Sequence, residues 1–150
     1  MPAEARLECQ ARKTRKNYRP YNFSKTADSN RYHWAVHIGP KSPTKQRLGV
    51  RYHAKERLTV KGKSEFIFEE SEVSPQMPLV RIAVAKILDQ DRAVEILRST
   101  ATRQNAPEWN CVSWVQEALG ALNVDSRALG TRILDWESVR DAAMEYCPRK

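Results

Sequence analysis

The chain has 150 residues, of which 41% are hydrophobic and 29% charged, and it carries a net charge of +8. At this length folding buries roughly 70% of the surface of the unfolded chain, so one domain can form a core without disulfides or a structural metal. The mean hydropathy of -0.68 and the absence of a long apolar run exclude a membrane-spanning, collagen-like or wholly disordered chain.

Cysteine usage and the first residues predict the compartment. Cys9, Cys111 and Cys147 are an odd number of cysteines without a CxxC pair, which favours reduced thiols over a disulfide framework. The N-terminal segment lacks the apolar centre of a signal peptide. We therefore expect a cytoplasmic protein.

The positive charge is concentrated at the N-terminus. Residues 1–25 hold seven Lys and Arg against Glu4 and Glu8, which is +5 of the total +8. We predict a basic arm over residues 1–25, followed by a single domain over residues 26–150. Such an arm either is simply solvated or attracts nucleic acid or another anionic partner, with Tyr18, Tyr21 and Phe23 as stacking surfaces.

Two strands with one apolar face each follow this arm. Residues 32–38 (YHWAVHI) alternate, so that Trp34 and Val36 share one face and His33 and His37 the other. Residues 48–54 (LGVRYHA) repeat the pattern, with His53 on the less apolar face. We expect a helix to pack closely on the histidine faces, because their small residues leave room for it.

The remaining pattern changes from strands to helices. Further strands are predicted over residues 58–61, 65–69 and 79–88, with Gly62 at a tight reversal. Helices are predicted from Gln90, over residues 108–122, and from Asp135, a residue type that caps helix N-termini. Strands followed by helices indicate an α+β fold, with an antiparallel sheet of about five strands packed against helices.

Cys111 is the candidate nucleophile. It falls in the first turn of the helix predicted over residues 108–122, where unpaired backbone N–H groups and the helix dipole favour thiolate over thiol. A buried cysteine that acts as a small hydrophobic residue is the alternative interpretation. His33 could take and return the thiol proton, and His53 could hold its ring in the required tautomer. The three residues together therefore predict a Cys-His-His triad.

These segments carry a resemblance. RYHWAVHIG, then RYHA about twenty residues later, then WNCVSWV resemble the circularly permuted papain-like fold of lecithin:retinol acyltransferase, its phospholipase A/acyltransferase relatives and the NlpC-type peptidases. The resemblance implies that His33 is the general base, His53 its orienting partner and Cys111 the nucleophile. It covers roughly residues 31–120. The NCEHFV-like motif of those relatives has Val112 and Ser113 in place of Glu and His here.

The function implied is that of a cysteine-dependent hydrolase or acyltransferase acting on an amide, ester or thioester, with no cofactor. Around the proposed site, Trp34, Trp109, Trp114 and Asn110 are the candidate substrate-contacting residues, although aromatic side chains are more often core residues. A non-catalytic binding domain of the same fold is the alternative. A metal site made by His33, His37, His53 and Cys111 is disfavoured, because the closely spaced ligand pairs of structural zinc are missing.

Overall fold

The computed structural model describes residues 3–11, 32–73, 80–133 and 135–146. Within these residues the fold is α+β, with one five-stranded antiparallel sheet and three helices. The strands are β1 (Ala3–Ala11), β2 (Tyr32–Pro40), β3 (Val50–Leu58), β4 (Ser64–Glu72) and β5 (Val80–Ile87). The helices are α1 (Gln90–Ser99), α2 (Cys111–Val124) and α3 (Trp136–Tyr146). The strand order across the sheet is β4-β3-β2-β1-β5.

The N-terminal segment corrects the predicted domain boundary. Residues 3–11 are not part of an arm, because they form β1, which pairs with β2 on one side and β5 on the other. Ala5, Leu7 and Cys9 lie in the core and alternate with charged residues, which is the period of a half-apolar strand. The net charge of residues 1–25, from which the arm was predicted, does not depend on this alternation. The rest of the predicted arm, including the proposed stacking residues Tyr18, Tyr21 and Phe23, lies outside the described residues.

The β3–β4 hairpin differs from the prediction in its boundaries. Residues 58–61 do not form a separate strand, because β3 continues to Leu58 and the chain reverses over residues 59–63. The backbone N–H of Thr59 donates to Lys63 O at 2.7 Å, and that of Gly62 donates to Thr59 O at 2.9 Å. The predicted count of about five strands is confirmed, but β1 takes the place of the strand predicted over residues 58–61.

The predicted helices are confirmed, with a shift at the start of α2. Asp89 caps α1, and the side chain of Asp135 accepts from the backbone N–H of Ser138 at the start of α3. Helix α2 begins at Cys111 rather than at residue 108, because Asn110 is its N-cap. The Asn110 side chain accepts from the N–H groups of Val112 and Ser113 at 3.0 and 3.4 Å.

The two faces of the sheet differ in composition. The apolar face, which includes Trp34, Val36, Tyr52 and Ala54, shares one buried cluster with residues of all three helices. Because side chains alternate along a strand, the opposite or polar face carries the residues in between. It includes Glu8, His33, His37, Arg51 and His53.

Of the described helices, the one that carries Cys111 does not lie on the histidine faces, where we expected it. Helix α2 packs over β2 and β3 on the apolar face. The reason is that this face removes more apolar surface from water, at roughly 25 cal/mol per Å². Small residues beside the histidines do not predict where a helix packs, because a helix is held on a sheet by the apolar surface that the contact buries.

The polar face contains buried charged and polar side chains. Glu8 has no exposed surface and forms ion pairs with Arg51 Nε at 3.3 Å and Arg81 Nε at 2.8 Å. A buried carboxylate requires such partners, because an uncompensated charge in the interior is strongly destabilising. The charges of β1 thus belong to the folded domain.

His37 is held in one protonation state on this face. Its Nε2 donates to Leu48 O at 2.6 Å, and its Nδ1 accepts from Arg6 Nη1 at 3.3 Å. Burial, together with the charges of Arg81, Arg6 and Arg51, lowers the pKa of His37 to about 4, although its bond to Leu48 O opposes the shift. The ring is neutral at pH 7 and has a structural role.

The lowered pKa of His37 predicts a pH-dependent stability. Between about pH 6.5 and pH 4 the unfolded chain binds a proton at this residue and the folded chain does not, so stability falls as the pH is lowered through this range. The loss is about 3 kcal/mol at most. Urea unfolding of the wild type and of His37→Gln at a series of pH values measures it. The wild type should lose more stability than the variant over this interval, and equal slopes would contradict the assignment.

Among the described residues, no helix is long and apolar enough to cross a membrane.

Candidate active site

His33 and His53 are brought together on the polar face. His33 Nε2 and His53 Nδ1 lie 2.6 Å apart, and the two rings meet edge to face with centroids 4.8 Å apart. One residue comes from β2 and the other from β3. The contact lies where the backbone ladder between these strands has ended, because the pairing covers only Val36–Ile38 with Val50–Tyr52. The side chains thus connect β2 and β3 beyond the ladder.

Glu69 extends this pair into a chain of three residues. Its Oε1 lies 3.1 Å from His53 Nε2, and the two residues are direct cross-strand partners in the β3–β4 register. We refer to His33, His53 and Glu69 as the histidine chain. Sequence analysis missed Glu69, because it is one of four glutamates in β4 and only the register shows which one faces His53.

The histidine chain determines the tautomers of both rings. A carboxylate only accepts hydrogen bonds, so His53 Nε2 donates to Glu69 and His53 Nδ1 carries the lone pair. His33 Nε2 must then donate to His53 Nδ1. When the His33 ring is neutral, its Nδ1 therefore carries the lone pair and is the basic nitrogen of the chain.

Electrostatics support this assignment at neutral pH. Burial and the nearby charge of Arg51 lower the pKa of His53, although the bond to Glu69 opposes this, so His53 is neutral at pH 7. Burial raises the pKa of Glu69, but its bonds to His53 and the charge of Lys55, whose Nζ lies 3.6 Å away, lower it overall. Glu69 is therefore an anionic acceptor next to a neutral ring, which is the pattern of an orienting carboxylate.

Cys111 is the first residue of α2 and is 1% exposed. It belongs to the buried cluster on the apolar face, whereas the histidine chain lies on the polar face. The described pairing of β2 with β3 covers only Val36–Ile38 and Val50–Tyr52, so it ends before His33 and His53. His33 lies at this end of β2.

The loop before α2 is attached to the edge strand β4. The side-chain amide of Gln104 forms both hydrogen bonds of a peptide group with the backbone of Phe66, donating to its O at 2.6 Å and accepting from its N–H at 2.9 Å. The ring of Trp109 packs edge to face on that of Phe66, with centroids 5.1 Å apart. Asn105 and Glu108 adopt positive φ. These contacts position the residues that lead to Cys111.

The predicted substrate-contacting residues divide into two groups. Trp34 and Trp114 have no exposed surface and pack in the core, against Trp136 and Phe68 respectively, so this structure offers neither ring to a substrate. Trp109 is partly exposed. Asn110 uses its side-chain oxygen to cap α2, and its contact with a substrate stays a prediction.

The metal site that the sequence disfavoured would also lack His37. Both ring nitrogens of His37 are engaged by Arg6 and Leu48. Among the residues with described positions, no group of three or more His, Cys, Asp or Glu is arranged to hold a metal ion.

These observations define the class of protein as an α+β domain with a His-His-Glu chain on the polar face of its sheet. A cysteine lies at the start of the helix that packs on the apolar face. Residues 13–150 match the model of DUF6914, a family of unknown function, and the chain belongs to this family. The match begins after β1. No curated protein and no solved structure matches the chain.

Proposed function

We propose that this protein is a cysteine-dependent hydrolase or acyltransferase that acts on an amide, ester or thioester, with a circularly permuted papain-like architecture. The observation that carries the proposal is the hydrogen-bonded histidine chain, which leaves Nδ1 of His33 as the base. The chain order His33, His53, Cys111 and an antiparallel sheet followed by the helix that carries the cysteine support the same function.

In this mechanism His33 Nδ1 removes the proton from the Cys111 thiol, and the resulting imidazolium is stabilised through His53 by Glu69. The thiolate attacks the substrate carbonyl carbon, and the carbonyl electron pair moves to oxygen. The backbone N–H of Cys111 at the start of α2 donates to this oxyanion. Collapse expels the leaving group, which takes the proton from His33, and water or another acceptor then releases the acyl group.

The proposal requires the sulfur of Cys111 to reach His33 at the end of β2, between the two layers.

Cys9 provides a matched control for testing the nucleophile. Both Cys9 and Cys111 are 1% exposed, so burial alone predicts equally slow alkylation. We expect iodoacetamide at pH 6.5 to modify Cys111 up to about 100-fold faster than Cys9, because an ordinary thiol is only about 1% ionised at this pH. Mass spectrometry of peptides from the native protein measures both rates. Equal rates would contradict the catalytic assignment and leave a non-catalytic domain.

A further inference from the structure

We infer that the indole Nε1–H of Trp109 is a second donor to the oxyanion; this inference rests on the proposed function and names a further catalytic residue for it. Trp109 lies two residues before Cys111 and directly before the N-cap of α2. Its Nε1 is buried, and the described residues offer it no hydrogen-bond acceptor. A buried donor without an acceptor costs about 1–3 kcal/mol, so it calls for a reason.

The neighbouring tryptophan shows that this fold does satisfy an indole donor elsewhere. Trp114, one turn into α2, donates from Nε1 to Thr100 O at 3.0 Å. The two tryptophans therefore differ in whether the indole N–H has an acceptor. The N–H of Trp114 is satisfied within the core. The N–H of Trp109 has no acceptor among the described residues, so a substrate oxygen could accept from it.

The surroundings of Trp109 keep its ring in position. Its ring packs on Phe66, and Gln104 holds the backbone of Phe66 from the free edge of β4. The backbone N–H of Trp109 also donates to Ala106 O at 3.3 Å. A donor fixed in this way needs little reorganisation when charge develops on a substrate oxygen, which is what makes oxyanion donors effective.

The acceptor inferred is the carbonyl oxygen of an ester, thioester or amide. When the Cys111 thiolate adds to the carbonyl carbon, a C–S bond forms and the π electrons move to oxygen, which then accepts from the indole N–H. Expulsion of the leaving group restores the C=O bond. The donor is thus needed for acylation, but not for alkylation by iodoacetamide, in which iodide leaves and no oxyanion forms.

This difference defines the experiment. Acylation of Cys111 by p-nitrophenyl acetate, followed by release of p-nitrophenolate, is compared with its alkylation by iodoacetamide in the wild type, Trp109→Phe and Trp114→Phe. We expect Trp109→Phe to lower the ratio of acylation to alkylation about 100-fold, the usual effect of removing one oxyanion donor. Trp114→Phe removes an indole donor from the core and should leave the ratio unchanged.

A second measurement on the wild type does not depend on how the variants fold. Acetaldehyde adds to a thiolate to give a hemithioacetal with a similar oxyanion. In ¹⁵N-labelled protein the Trp109 indole proton should then move downfield, and the Trp114 indole proton should not. An unchanged ratio in Trp109→Phe together with an unmoved Trp109 resonance would overturn the inference. Failure of Cys111 to react faster than Cys9 in the wild type would instead overturn the proposed function.

Discussion

Replacing His33 with glutamine should slow alkylation of Cys111 about 100-fold at pH 6.5. Glutamine can still donate to His53 Nδ1, so the contact between β2 and β3 is retained, but it cannot accept the thiol proton. Without that base the reaction depends on unassisted ionisation, and only about 1% of an ordinary thiol is thiolate at this pH. Stopped-flow alkylation measured between pH 6 and pH 9 tests this expectation.

The shape of the pH profile separates a base from a structural residue. The rate should depend less steeply on pH in the wild type than in His33→Gln, because only the wild type has a base to remove the thiol proton. His37→Gln is the control, because His37 lies on the same strand and face but binds Arg6 and Leu48. A His33→Gln profile that matches the wild type would remove His33 from the mechanism.

Gly49→Ala should reduce the free energy of unfolding by about 3 kcal/mol or more. Gly49 has a φ of +104°, and a Cβ there would lie 2.5 Å from both His37 Nε2 and Ile38 O. Ile38 O is backbone and the His37 ring is held by two hydrogen bonds, so neither atom moves easily. Glycine is therefore needed at position 49 both because of its positive φ and because a side chain would clash with His37.

Gly62 is the matched control for this prediction. It also has a positive φ, +75°, but a Cβ there would meet nothing within 4 Å. Gly62→Ala should cost only about 1 kcal/mol, the backbone penalty alone. Urea unfolding at pH 7.5 compares the two variants with the wild type. Similar losses in the two variants would show that the contacts with His37 and Ile38 contribute nothing.

Local patterns predicted much of the fold. The alternation in residues 32–38 and 48–54, the helical periods after Gln90 and the capping type of Asp135 are all properties of neighbouring residues, and the corresponding elements are described where they were expected. The same patterns did not predict β1. Its apolar residues alternate too, but the strand is paired with residues far along the chain, and the charge of its Glu8 is compensated by Arg51 and Arg81 on other strands.

The candidate site shows the same division. The sequence by itself determined that His33 and His53 lie on the same kind of strand face and that Cys111 lies at a helix start, because strand and helix periods are local. Only the tertiary structure decided that Glu69 completes the histidine chain, that Gln104 and Phe66 hold Trp109, and that α2 covers the apolar face. Strand register and layer packing depend on which distant segments bury the most apolar surface and satisfy one another's hydrogen bonds, and no local pattern contains that information.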